Sequence, residues 1–113
     1  FFKDLETNQD LLSPPSDACS ELFKVIKTRK IKPEEGSYTN SLLEEGDNKI
    51  LKKIGEETSE FIMACKDKEP ISIANEAADI VFHLQVALVH LNVSWNEVLK
   101  VLIERRGGPR RHK

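Results

Sequence analysis

The segment spanning residues 49–83 constrains the fold more than any other part of this chain. With 100° of rotation per residue, its first half places one mostly apolar stripe along a helix, with Glu57 at the edge of that stripe. Its second half is apolar on nearly every side of a helix, although it carries Glu76 and Asp79. A helix that is apolar all round is usually buried. We therefore predict that two antiparallel helices joined near Pro70 form the centre of an all-α bundle.

The acids of these two helices form two sets, in which residues three apart lie on one helical face. The sets are Glu56, Glu57 and Glu60 on the first helix, and Glu76 and Asp79 on the second. A hairpin would bring the two faces together as an oxygen-lined cage whose natural occupant is a hard cation such as Mg²⁺. The alternative is a solvated acidic face. That alternative is weaker for the second set, because so little of its helix is polar and an unpaired buried carboxylate is costly.

The remaining sequence predicts about five helices in one domain. Capping and breaking residues place these helices at about 17–29, 37–45, 48–66, 70–91 and 95–106. Residues 1–15 predict a linker ending in Ser13-Pro14-Pro15, residues 16–106 the helical domain, and residues 107–113 a flexible basic tail. The last helix is expected to bury Trp95, Val98, Leu99, Leu102 and Ile103.

The composition excludes several classes of partner. A formal net charge of −2 does not indicate a general binder of nucleic acid or of a membrane surface. The sequence shows no apolar run of the ~20 residues that a membrane span requires, and no signal peptide. Cys19 and Cys65 fall at apolar helical positions, which predicts reduced core thiols in a reducing compartment.

At this point the residues carry a resemblance to a known family. Glu56-Glu57-x-x-Glu60, fifteen intervening residues and Glu76-x-x-Asp79 resemble the E-E-x-x-E…E-x-x-D signature of the MazG-like all-α nucleotide pyrophosphohydrolases. Residues 37–39 (SYT) and 49–57 (KILKKIGEE) narrow the resemblance to phosphoribosyl-ATP pyrophosphatase, the second enzyme of histidine biosynthesis. The similarity covers about residues 18–106.

This resemblance implies a reaction and a role for each site residue. The reaction is Mg²⁺-dependent hydrolysis of phosphoribosyl-ATP, between its α and β phosphates, to phosphoribosyl-AMP and pyrophosphate. The implied metal ligands are Glu57, Glu60, Glu76 and Asp79, and the water would be oriented by Glu56 or by one of the ligating acids, such as Glu57 or Glu60. The implied substrate contacts are Lys49, Lys53, Arg29 and Arg105 on phosphates, and Tyr38 and Thr39 against the substrate.

The partners are also expectations. The apolar helix at 72–91 has more surface to bury than one small chain can cover, so we expect a homodimer that could complete each site. In many bacteria and plants the resembling enzyme is the C-terminal half of a fusion with phosphoribosyl-AMP cyclohydrolase. Because the chain begins Phe1-Phe2-Lys3 without Met, these residues are interpreted as the possible end of such a domain. The expected location is the cytoplasm, or a plastid if the source is a plant.

Three other functions stay open from the sequence alone. The nearest is a MazG-like house-cleaning hydrolase of other nucleoside triphosphates, which would use the same acids. A carboxylate-bridged di-iron bundle would need E-x-x-H on two helices, whereas the acid face here offers only His83. That histidine is interpreted as hydrogen-bonded to a neighbour, or as orienting a ligating carboxylate. A non-catalytic helical dimerisation module explains the core but not the acids on two facing helices.

Overall fold

The computed structural model describes residues 17–106, which form five α-helices and no strand. The helices are α1 (Ala18–Ile31), α2 (Tyr38–Glu45), α3 (Asp47–Asp67), α4 (Pro70–His90) and α5 (Trp95–Arg105). The all-α prediction is confirmed, and each helix lies within about two residues of its predicted bounds, which is the usual uncertainty of helix ends. The predicted linker at 1–15 and basic tail at 107–113 lie outside the described residues.

The core is assembled around the C-terminal half of α4. Phe82 and Val86 of that helix are fully buried, and one residue from each of α1, α2 and α3 packs against them with no exposed surface: Ile26, Leu42 and Ile50. Burying an aliphatic or aromatic side chain contributes about 1.5–3 kcal/mol, so this cluster holds four helices together.

Short polar signals set the ends of the helices. The Ser37 hydroxyl accepts a hydrogen bond from the Asn40 amide at 3.2 Å and caps α2, and the Ser94 hydroxyl accepts from the Glu97 amide at 3.3 Å and caps α5. Gly46 joins α2 to α3 with a φ of 81°, a conformation that glycine adopts without strain. Pro70 occupies the first turn of α4, where its missing amide proton is not needed.

Two predictions about burial are wrong. On α5, Trp95 is half-buried against Phe23, with ring centroids 6.3 Å apart, but Leu102 is 61% exposed and Ile103 59%. Cys19 and Cys65 are both exposed rather than in the core. The periodicity of a sequence identifies the apolar face of a helix, but it does not reveal whether another element of the same chain covers that face.

Apolar side chains also remain uncovered on the α3–α4 hairpin. Ile71 is 73% exposed, and Ile62 and Met63 are exposed on α3. In the part of the chain that the structure describes, each helix taken singly is too short or too polar to cross a membrane. Only α4 and α5 together, bent by 115° at the break between them, meet the requirement of length and composition.

Candidate active site

The hairpin of α3 and α4 brings together carboxylates that are distant in sequence. One carboxylate oxygen each of Glu57, Glu76 and Asp79 lies within 4.8 Å of the others. Glu57 is buried, whereas Glu76 and Asp79 are half-buried. We call these residues the three-acid group. Three oxygen donors from two helices at this separation can hold one divalent cation.

The electrostatics of the three-acid group show an excess of negative charge. The pKa of Glu57 is raised from 4.5 to about 7, mainly by burial and then by the carboxylates of Asp79 and Glu60, against the opposing effect of Lys53. The pKa of Glu76 is also raised, by loss of solvent and by Glu60. Such carboxylates either hold a proton or need a cation.

The hydrogen bonding of these acids also indicates a site for a cation. Among residues 17–106, Glu57 Oε1 and Glu76 Oε1 are buried side-chain oxygens with no hydrogen-bond partner. A buried acceptor without a partner is unfavourable, and more so when it is charged. A hard cation prefers oxygen ligands and would satisfy both atoms, so the donor set fits Mg²⁺.

The two other predicted acids lie at the rim. Glu60 is exposed and is not one of the three-acid group, although it lies close enough to raise the pKa values of Glu57 and Glu76. Glu56 is exposed and forms ion pairs with Lys52 at 4.0 Å and with Lys53 at 3.5 Å.

Lys53 is the cation nearest to the three-acid group for which the structure gives a contact. Its ammonium lies 3.9 Å from a Glu57 oxygen, and its side chain is about one-quarter exposed. Lys49 lies one turn earlier on α3 and is half-buried. An ammonium held beside a metal site can neutralise phosphate charge that the metal does not contact.

Tyr38 and His83 form a hydrogen-bonded pair of side chains near the three-acid group. The Tyr38 hydroxyl lies 3.0 Å from His83 Nε2, and His83 Nδ1 lies 2.7 Å from the Asp79 backbone carbonyl. The interpretation of His83 as hydrogen-bonded to neighbours is confirmed. The sequence did not identify Tyr38 as its partner, because 45 residues separate the two and no pattern links them.

The other predicted substrate contacts are dispersed. The Arg29 guanidinium forms an ion pair with Glu34 at 3.2 Å. Thr39 is fully buried, whereas Arg105 is exposed in the last turn of α5, and neither belongs to the three-acid group. Their roles as substrate contacts stay predictions.

Sequence reasoning missed Asn40. Its amide is buried, donates to the Arg29 carbonyl at 2.8 Å and accepts from the Glu34 amide at 2.8 Å. Asn40 thereby fixes the end of α1 and the following loop against α2. The only signal in the sequence is its position three residues after the capping Ser37, which does not reveal a contact with Arg29.

Comparison with known proteins identifies the family. The family model for phosphoribosyl-ATP pyrophosphohydrolase matches residues 19–106. The chain belongs to this family. This match confirms the resemblance that the acid signature indicated.

Several similar proteins are named histidine biosynthesis bifunctional protein HisIE. The protein of Parasynechococcus marenigrum strain WH8102 is 70% identical over 101 residues, which cover 89% of this chain and 46% of that protein. Prochlorococcus marinus strain MIT 9313 has a relative that is 66% identical over the same shares of each chain. The relative from Nostoc sp. strain PCC 7120 is 50% identical over 96 residues, or 85% of this chain and 44% of the other. The chain spans less than half the length of these relatives.

Proposed function

We propose that this chain hydrolyses phosphoribosyl-ATP to phosphoribosyl-AMP and pyrophosphate with Mg²⁺ as cofactor. The observation that carries the proposal is the three-acid group, with its two buried oxygens that lack a hydrogen-bond partner. Its position on α3 and α4 coincides with the family's acid signature, and the family model covers both helices.

Glu57, Glu76 and Asp79 would hold the metal, with Glu60 at the rim as a further ligand. Bound Mg²⁺ supplies charge neutralisation at the phosphates and acidifies a coordinated water. Glu57 must be ionised to act as a ligand, so the proton favoured by its raised pKa has to leave before the site is functional. Glu56 and Glu60 are the exposed acids that can orient the attacking water, and Lys53 can neutralise phosphate charge during the displacement.

We also propose a homodimer and a larger protein around this domain. Exposed Ile62, Met63 and Ile71 lie on the hairpin that carries the site, so a second copy packed there would bury them. The relatives are named as bifunctional proteins, which supports a phosphoribosyl-AMP cyclohydrolase domain joined to this one. Light scattering at micromolar concentration tests the dimer, and a monomer would contradict it.

The deciding experiment follows pyrophosphate release from phosphoribosyl-ATP. We expect release with Mg²⁺, none with EDTA, and none from the variant Glu57→Gln, which keeps the shape of the side chain but removes the charge. Glu45→Gln is the matched control, because Glu45 lies exposed in the last turn of α2. A folded wild-type protein that releases pyrophosphate from other nucleoside triphosphates, but not from phosphoribosyl-ATP, would move the assignment to a house-cleaning hydrolase.

A further inference from the structure

The ion pair between Arg29 and Glu34 joins a mostly buried cation to an exposed acid. The Arg29 guanidinium lies 3.2 Å from a Glu34 carboxylate oxygen, and the arginine side chain is 17% exposed whereas that of Glu34 is 65% exposed. A cation withdrawn from water needs an anionic partner. An exposed carboxylate loses little when it leaves an ion pair, because water then solvates it. Glu34 is therefore a partner that another anion can replace.

Asn40 fixes the main chain on both sides of this pair. Its buried side-chain amide donates to the Arg29 carbonyl at 2.8 Å and accepts from the Glu34 amide at 2.8 Å. Breaking buried hydrogen bonds of this kind leaves polar groups unsatisfied, so they hold. The main chain at Arg29 and at Glu34 thus stays in place when the Glu34 side chain turns away. An incoming anion then meets a guanidinium whose position is already set.

A polar cavity adjoins the pair. It has a volume of about 570 Å³ and lies between the loop after α1 and the first turns of α2. Its lining carries carboxylate and hydroxyl oxygens, which include those of Glu34, Glu35, Ser37, Ser41 and Glu44. Such oxygens accept hydrogen bonds from the hydroxyl groups of a sugar, whereas the acids repel a polyphosphate. The cavity therefore suits a sugar that carries one phosphate, with that phosphate on Arg29.

Tyr38 links this cavity to the candidate active site. Its side chain lines the cavity, and its hydroxyl lies 3.0 Å from His83 Nε2. His83 in turn lies 2.7 Å from the backbone carbonyl of Asp79, which belongs to the three-acid group. One pair of side chains thus connects the wall of the cavity with the helix that carries the acids.

The proposed substrate carries anionic groups on two different parts of the molecule. The triphosphate of phosphoribosyl-ATP is the part that is cleaved, so it belongs at the three-acid group. The phosphoribosyl group has a single phosphate on a second sugar, which ordinary nucleoside triphosphates lack. A phosphate monoester carries about −1.5 to −2 charges near pH 7, more than a carboxylate, and it binds arginine through two parallel hydrogen bonds. This phosphate is a stronger partner for Arg29 than Glu34 is.

We propose that Arg29 binds the phosphate of the phosphoribosyl group, that this phosphate displaces the Glu34 carboxylate, and that Asn40 is the positioning residue for both. The sugar occupies the adjoining cavity. The assignment rests on the proposed function, because it requires a substrate with a second sugar phosphate. It makes Arg29 a determinant of specificity for phosphoribosyl-ATP over ordinary nucleoside triphosphates.

The first test uses ribose 5-phosphate in EDTA and needs no turnover. A titration followed by nitrogen-15 NMR of the Arg29 guanidinium should show saturable binding to the wild type. Glu34→Gln should bind about two- to fivefold more tightly, because the competing carboxylate is gone. Glu21→Gln is the matched control, since it removes an exposed carboxylate from an ion pair with Lys24 on α1, and its affinity should equal that of the wild type. No binding to the wild type, or no gain in Glu34→Gln, overturns the proposal.

A second comparison shows which phosphate Arg29 binds. Arg29→Met should abolish the binding of ribose 5-phosphate but leave the affinity for pyrophosphate with Mg²⁺, measured by calorimetry, within about twofold of the wild-type value. Ribose without a phosphate should not shift the Arg29 signal of the wild type. A loss of pyrophosphate affinity in Arg29→Met would place this arginine at the triphosphate and overturn the assignment.

Steady-state kinetics then connects the subsite to turnover. Arg29→Met should raise KM for phosphoribosyl-ATP at least about tenfold with kcat within about threefold, because a contact far from the cleaved bond is made equally before and during the reaction. A fall in kcat at unchanged KM overturns the proposal. Absence of pyrophosphate release from the wild type contradicts the proposed function instead, and the ribose 5-phosphate titration still decides whether Arg29 forms this subsite.

The test of Asn40 separates positioning from stability. Asn40→Ala should raise KM for phosphoribosyl-ATP and weaken ribose 5-phosphate binding while kcat is retained. Gln85→Met is the control, because it removes another buried amide that donates to a carbonyl of α1, that of Cys19 at 2.9 Å. It should lower the melting temperature and leave KM unchanged. If Gln85→Met raises KM as much as Asn40→Ala does, the effect belongs to the packing of α1 and the positioning role is overturned. Glu34→Gln alters an exposed side chain, so it tests the subsite even if Asn40→Ala does not fold.

Discussion

The two halves of α4 belong to one continuous helix but differ in their surroundings. The C-terminal half is packed on several sides, and both ring nitrogens of its buried His83 are hydrogen-bonded. The N-terminal half is only partly covered, and it carries a buried Glu76 oxygen that has no hydrogen-bond partner within residues 17–106.

The C-terminal half of α4 contributes to the stability of the fold, whereas the acids of the N-terminal half reduce it. Phe82 and Val86 remove apolar surface from water and bring no charge into the core. Glu76 and Asp79 do the opposite, because they place like charges near Glu57 in a half-buried site. Sites that bind and react are commonly less stable than the scaffold around them. The N-terminal half of α4 is therefore the half to examine for function.

The largest effect should come from the acids of the N-terminal half. Asp79→Asn keeps the backbone carbonyl that binds His83 but removes a charge from the three-acid group. Pyrophosphate release should fall by at least about a hundredfold, as when an electrostatic contact is removed from an active site. The melting temperature measured in EDTA should stay the same or rise, because repulsion is relieved. A large loss of stability would mean that the acids support the fold.

The matching change in the C-terminal half should act on stability. Phe82→Ala removes a fully buried ring from the centre of the core and should lower the free energy of unfolding by about 3–5 kcal/mol. Urea unfolding followed by circular dichroism measures this loss. Conditions in which the variant is still folded should leave the Mg²⁺ dependence of activity unchanged. A loss below about 1 kcal/mol would contradict the central place of Phe82 in the core.

The fold was largely predictable, because helix periodicity and end signals are local. Ser37, Gly46, Pro70 and Ser94 mark helix ends in the sequence, and each has that role in the structure. The burial of α5 was not predictable. Leu102 lies on an apolar face, yet its exposure depends on what the rest of the chain places opposite it, which is a property of the tertiary structure.

The candidate site was predictable to the extent that helix spacing determines it. The pairing of Glu57 with Glu76 and Asp79 follows from a hairpin whose turn is visible in the sequence. Glu60 shares the spacing but lies exposed, because small differences in rotation separate a lining position from a rim position. The contact between Tyr38 and His83 depends on how α2 packs against α4, and no local pattern encodes it.

The pH dependence of stability and of Mg²⁺ binding should reveal the contribution of Glu57, which contacts the N-terminal half of α4. Its pKa is raised to about 7, so between pH 4.5 and 7 the folded chain holds a proton that the unfolded chain has released. The stability contributed by this proton is present below about pH 4.5 and is lost as pH rises through about 7. Mg²⁺ needs the ionised carboxylate, so the increase in melting temperature on adding Mg²⁺ should be larger at pH 8 than at pH 6.

Glu57→Gln is the control for this prediction. It has no proton to lose in that range, so its response to Mg²⁺ should be small and equal at the two pH values. Calorimetry on both proteins gives the comparison. An equal increase for the wild type at pH 6 and pH 8 would show that Glu57 is already ionised at pH 6.

The smallest effect on the single chain should come from the exposed end of α4. Ile71 is 73% exposed, so Ile71→Ser should change the free energy of unfolding of an isolated chain by no more than about 0.5 kcal/mol. If a second copy covers this surface, the same change should weaken association and make the melting temperature depend more steeply on protein concentration. Light scattering and unfolding at two concentrations separate these effects. If the variant dimerises as the wild type does, the interface lies elsewhere, and Ile71 is exposed to solvent in the dimer as well.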